Sequence, residues 1–306
     1  MLNNNQCTGF LLVIIISLLS CSKETLVIPD NNPASNFNIS RLKIENYVNR
    51  IYIDIIGREP LVGERSEEVA FLQDSSLSRS ARLQIIEKLM TDESFKEEEG
   101  SYKAAFTLNL YNLAKVRCLE GVSDDEIHSR IGIARFGALR DSLEGNWNGY
   151  YEKLESIRKY ESMLNSLDLL FQEDIDYHQV FAFAIDNGIY DQINMNTFNF
   201  VRAVFDELLW RLPTDQEFES SFRMIEFSES ALLFGRSGSD KQDFINILTE
   251  SHGMMEGMII WAYQTLLNRP PTPQEIVTLL PEYIQNRDIK YIYSEILVTD
   301  EYANFR

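Results

Sequence analysis

The sequence predicts an all-α fold: tandem helical units, each a helix, a proline turn and two further helices, with an inserted helical section. Three observations predict it. Beyond about residue 40, apolar residues recur at spacings of three and four and strand-like alternation is scarce. Glycine and proline, 14 and 8 in all, fall mainly at breaks between these periodic segments, and the chain is 44% hydrophobic, enough to build a core rather than a disordered stalk. Finally, one short pattern occurs three times along the chain, the mark of an architecture made by repeating a supersecondary unit.

Residues 1–20 stand apart in composition. They contain no Asp, Glu, Lys or Arg, and an apolar run from Phe10 to Leu19 breaks at Ser20-Cys21-Ser22-Lys23-Glu24. A run of about ten apolar residues falls short of the ~20 needed to span a hydrocarbon core, but it suits the hydrophobic region of an export signal. Ser20 before Cys21, with Leu18 three positions upstream of the cysteine, resembles the lipobox read by the bacterial lipoprotein signal peptidase. That resemblance implies cleavage before Cys21, diacylglycerol on its sulfur and acylation of the new amine. Each buried methylene of such chains contributes about 0.8 kcal/mol, so lipid on Cys21 makes a membrane the first expected partner. Ser22, where aspartate would retain a lipoprotein, resembles the signal for outer-membrane sorting. The expected location is the outer membrane, lipid-anchored and facing the periplasm or cell surface. Residues 21–40 are polar and turn-rich, ending VIPDNNPASNFNIS, and read as a tether.

Helical unit 1 occupies residues 41–120, and units 2 and 3 occupy 196–306. They share Arg-x-Pro-x-x-x-Glu: Arg58, Pro60 and Glu64; Arg211, Pro213 and Glu217; Arg269, Pro271 and Glu275. Six residues before each arginine stands an aromatic (Tyr52, Phe205, Tyr263), and two aliphatics follow at three and two before it (Ile55-Ile56, Leu208-Leu209, Leu266-Leu267). Such spacing places them on one helix face. The motif therefore predicts a helix ending at its arginine, where a cation suits the helix dipole, then a proline turn and a second helix. Thr214 with Glu217 and Thr272 with Glu275 predict capping boxes, with Pro273 in the favoured first position; Leu61 leaves the first copy without its cap. A third helix in each copy should close on a Thr-acid step: Thr91-Asp92-Glu93, the looser Thr249-Glu250-Ser251, and Thr299-Asp300-Glu301. Phe95 and Tyr302 follow the first and last. The second copy's closing helix is expected to run near Met254. Between units 1 and 2, residues 121–195 form the inserted section, with a long charged-apolar stretch from Ala138 to Leu170.

The segment Arg50-Ile51-Tyr52-Ile53-Asp54-Ile55-Ile56-Gly57-Arg58-Glu59-Pro60, followed by Glu64 and Phe71-Leu72, resembles a secreted bacterial domain of unknown function. That domain is typical of planctomycete cytochrome-like proteins, with a consensus near R-x-Y-L-D-L-x-G-R-x-P-T-x-x-E. Ala262-Tyr263-Gln264-Thr265-Leu266-Leu267-Asn268-Arg269-Pro270 is similar to helical tandem units of bacterial extracellular proteins. The two resemblances cover about residues 41–120 and 200–306. They imply helical structure and carry over no catalytic residue.

The chain carries 28 basic and 47 acidic residues, a net charge of −19, which repels phosphate backbones and argues against a nucleic-acid partner. Of its three cysteines, Cys7 would leave with the signal and Cys21 would carry lipid. Cys118 stands alone in a helical run, expected as a small buried hydrophobe, and no internal disulfide is available. His128, His178 and His252 show no ligand-pair spacing, and no Cys-x-x-Cys-His exists for haem. Gly235-Arg236-Ser237-Gly238-Ser239 lacks the order of a nucleophile elbow and reads as a flexible loop. Glu64 stands where a phosphate loop between Gly57 and Gly63 would need lysine. The acidic runs Glu97-Glu98-Glu99, Asp124-Asp125-Glu126 and Glu173-Asp174 with Asp176 lack calcium-loop spacing and read as solvated helix faces. No catalytic residue, metal or cofactor is expected. Trp147, Tyr150 and Tyr151, in Asn-Trp-Asn-Gly-Tyr-Tyr, are the best candidates for contact with a ligand such as a glycan. The leading expectation is a non-enzymatic lipoprotein that binds an envelope protein. The alternative is a glycan-binding or hydrolytic accessory at the cell surface.

Overall fold

Ser40 caps the first helix, α1 (Arg41–Ile56), by accepting a hydrogen bond from the Lys43 amide. The structure, a computed structural model, describes residues 39–95 and 100–305. The expected signal at 1–20, Cys21, nearly all of the tether and the Glu97-Glu98-Glu99 run lie outside the described residues. The first unit continues with α2 (Val62–Asp74), α3 (Arg79–Thr91) and α4 (Tyr102–Leu119). The inserted section forms α5 (Asp124–Glu144), α6 (Trp147–Phe171), α7 (Tyr177–Ile185) and α8 (Gly188–Asn194). The second copy supplies α9 (Thr197–Leu209), α10 (Asp215–Phe227), the strands β1 (Ala231–Leu233) and β2 (Arg236–Gly238), and α11 (Lys241–Thr249). The third supplies α12 (His252–Leu267), α13 (Pro273–Asn286), α14 (Ile289–Leu297) and the short α15 (Asp300–Ala303). With helices everywhere except one small hairpin among the described residues, the all-α expectation holds.

α4 is the central helix. Tyr102, Phe106, Leu110, Ala114 and Cys118 recur at four-residue spacing and bury one of its faces, with α1, α3 and α7 packed around it. The third copy folds back onto the first. Tyr47 of α1 donates to the Leu297 carbonyl at 3.2 Å, and its ring meets Tyr302 and Phe305. Arg50 donates to the carbonyls of Leu266 and Tyr302 and lies 4.0 Å over the Tyr302 ring. Copies two and three meet where α12 packs on α9. A Cβ on Gly257 would stand 1.9 Å from the Leu208 carbonyl oxygen, so only glycine permits that approach. The copies thus close on one another instead of extending as an open row.

Three local expectations change, and one long stretch gains its division. The first helix of each copy ends two residues before its arginine, because Gly57, Trp210 and Asn268 take left-handed conformations that turn the chain there. Met254 lies inside α12, since Ser251 already caps that helix. The Ala138–Leu170 stretch is two helices, broken where Gly145 turns left-handed at the end of α5. The Gly235–Ser239 segment is no flexible loop. Phe234 and Gly235, both at positive φ, form a two-residue turn that pairs Ala231 with Gly238.

Candidate functional site

The repeat residues build the same clasp three times. Arg58 donates to both oxygens of Glu64 at 2.8 and 2.9 Å, Arg211 to Glu217 at 2.7 and 2.6 Å, and Arg269 to Glu275 at 3.0 and 2.7 Å. Each arginine also donates to the carbonyl of the residue after it and lies 5.2–5.7 Å over the aromatic ring six positions back. One oxygen of each glutamate accepts the N-cap amide of the second helix, from Leu61, Thr214 or Thr272, at 2.6–2.8 Å. Thr214 and Thr272 complete the box through their hydroxyls, while Leu61 has none to offer. The proline holds the turn between: Pro60 is buried and Pro213 and Pro271 are half-buried. The arginine fork therefore bridges the end of one helix and the start of the next. Hydrogen bonds from Arg211 and Arg269, opposed by partial burial, hold Glu217 and Glu275 at about 2; for Glu64, burial opposes the shift, but Arg58, Tyr102 and the Leu61 amide outweigh it and reach the same value. The arginine forks and both oxygens of each glutamate are engaged within the fold, which makes the clasps structural parts.

Trp147, Tyr150 and Tyr151 do come together. They form an edge-to-face row at the start of α6, with ring centroids 5.8 and 5.4 Å apart, and Trp147 and Tyr151 face solvent. A larger apolar surface lies on the neighbouring helix. α5 turns Ile127, Ile131 and Ala138 inward against α6, yet Ile133, Phe136, Leu139 and Leu143, on its opposite side, are 58–80% exposed. Around them the chain changes sign: Ile127 to Arg140 (IHSRIGIARFGALR) holds three arginines and no acid. Arg130 and Arg135 are paired with Glu126 and Glu161, whereas Arg140 is exposed with its nearest carboxylate, Asp141, at 3.7 Å.

A second feature is a polar cleft of about 560 Å³ between α6, α7 and α11, edged by Arg287 at the end of α13. His178 lines it and is almost wholly buried. Its Nε2 meets the Tyr283 hydroxyl at 3.0 Å, while its buried Nδ1 faces Asp176 Oδ1 at 3.4 Å. Asp176 also caps α7 through the Gln179 amide; burial raises its carboxyl, but His178, Gln179 and Arg287 together hold it below the ordinary range.

The remaining candidates are absorbed by packing. Asp124 accepts from Tyr111 and Lys115, each at 2.7 Å, and Glu173 from Lys290 at 2.9 Å. Cys118 is a buried free thiol, pushed up first by burial and then by Glu207. His128 bonds the Asp124 carbonyl within its own helix. Among the described residues no cluster of His, Cys, Asp or Glu has the geometry to hold a metal. The α5 face went unseen in the sequence, where an acid-free run of fourteen residues in so acidic a chain was its one signal. No family model, curated protein or solved structure matches the chain.

Proposed function

We propose that this chain is an outer-membrane lipoprotein, anchored through lipid on Cys21, that acts without catalysis by docking a protein partner of the cell envelope on the outer face of α5. The observation that carries the reading is the stripe of Ile133, Phe136, Leu139 and Leu143, left exposed by the described residues. A helix with apolar residues on two opposite faces normally has a neighbour on each, and among the described residues the main neighbour of α5 lies on the α6 side. Exposed apolar patches of a few hundred Å² mark interaction sites. Arg140 at the edge, exposed, favours a partner surface with an acidic rim. None of the described helices is long and apolar enough to cross a membrane; the attachment proposed is the lipid on Cys21.

The test is the size of the complex extracted in detergent. Phe136→Asp and Leu143→Asp change exposed side chains and should move stability by no more than about 0.5 kcal/mol. Each should release the chain from a larger complex formed by the wild type. A wild-type chain that migrates alone, or variants that keep the complex, would remove the docking assignment.

A further inference from the structure

The cleft between α6, α7 and α11 has a chemistry that docking on α5 does not use. Three cations line it, Arg158, Lys159 and Arg287, and three carboxylates, Asp176, Asp186 and Glu250, so its formal charge cancels. The charges are also engaged: Lys159 with Asp186 at 2.6 Å, Arg158 with Glu155 at 2.5 Å, Glu250 with Arg236 at 2.6 Å, and Arg287 facing Asp176 at 3.7 Å. An anion or cation entering here would have to break pairs already made. A neutral polar ligand would add hydrogen bonds without that loss.

The groups with spare capacity are hydroxyls and amides. Ser162, Gln242 and Asn246 line the cleft, and the one bond between the last two, Gln242 Nε2 to Asn246 Oδ1 at 3.2 Å, leaves an amide donor and an acceptor carbonyl open. Phe183, half-buried at the wall, offers an apolar surface for C–H groups. The volume, about 560 Å³, lies within the range of small-ligand sites. We infer that this cleft binds a neutral polyhydroxylated ligand of mono- to disaccharide size. Ser162 lies fifteen residues beyond Trp147 on the same helix, about 22 Å along its axis, so the Trp147 aromatics are a separate surface.

The test is titration calorimetry on the full chain in a sugar-free detergent. The neutral probes are maltose, cellobiose, lactose and N,N′-diacetylchitobiose; the charged ones are glutamate and inorganic phosphate. At least one neutral sugar should bind saturably. Asn246→Ala and Gln242→Ala, both exposed on α11 and harmless to folding, should each weaken it about tenfold, while Trp147→Ala should leave it unchanged. Three results would overturn the inference: no saturable binding by any neutral sugar, preferential binding of phosphate or glutamate, or sugar binding lost in Trp147→Ala and kept in Asn246→Ala. The docking variants Phe136→Asp and Leu143→Asp should not affect the titration, so the two readings fail separately.

Discussion

Arg269 differs from Arg211 by one additional partner. Besides Glu275 it donates to both oxygens of Glu301, at 2.6 and 2.7 Å, and so fastens α15 to the third turn. Arg211 has only Glu217 and is the most solvated of the three. Charge-assisted bonds are strong when sheltered and weak when wet. Arg269→Ala should therefore cost about 1–3 kcal/mol in chemical denaturation, and Arg211→Ala distinctly less. Equal losses would mean that Glu301 adds nothing. The pH dependence has two opposed parts. Glu64, Glu217 and Glu275 sit at about 2, below the ordinary 4.5, so their contribution is full above pH 4.5 and lost as pH falls toward 2. Glu207 is raised by burial to about 7, although Tyr190 donates to it at 2.8 Å. Its contribution is full below 4.5 and declines as pH rises through 7. Glu207→Gln should remove that decline between pH 4.5 and 7 while leaving the acid limb in place; an unchanged slope would contradict the burial argument. At this scale the sequence spoke through recurrence. Arg, Pro and Glu at fixed offsets disclosed a clasp, since each turn needs the same parts. The pairing of His178 with Tyr283, 105 positions apart, leaves no local trace.

Helices were legible where period and caps agreed, as at Thr214 and Thr272. They were misread where the backbone turns by a conformation that composition does not announce. Trp210 at φ 54° and Phe234 at φ 50° are left-handed positions held by bulky residues, which is why the helix ends shifted and a hairpin passed for a loop. α5 was obscured for another reason: with apolar residues on both sides, its pattern has no single wet face to reveal which side is free. Two glycines separate packing from propensity at this scale. Gly257→Ala would drive a methyl into the α9 backbone and should cost at least about 2 kcal/mol. Gly132→Ala meets nothing within 4 Å on α5 and should stabilise by up to about 1 kcal/mol. Thermal melts would measure both, and a harmless Gly257→Ala would refute the close crossing of α9 and α12.

The closure of the third copy onto the first was not foreseen from the motif, because the motif residues satisfy one another within each turn and say nothing about which turns meet. The joining residues are others. Tyr47, Arg50 and Asp54 come from α1, and Tyr302, whose hydroxyl donates to Asp54 at 2.6 Å, comes from α15. Phe95, at the matching place in copy one, has no such role and stays exposed. Anchoring belongs to this scale too. Cys21→Ala should abolish labelling by a radioactive fatty acid and leave uncleaved precursor, and undiminished labelling would remove the anchor. The docking function stands or falls with whether the outer face of α5 meets a protein in the envelope. The direct measurement is photocrosslinking in intact cells, with a photoreactive residue at Phe136 and, as a control, at Val277, which is also well exposed. A discrete protein adduct at 136, absent at 277 and lost when Leu143→Asp is added, is the predicted result. Equal crosslinking from both positions, or crosslinks from 136 to lipid alone, would contradict it.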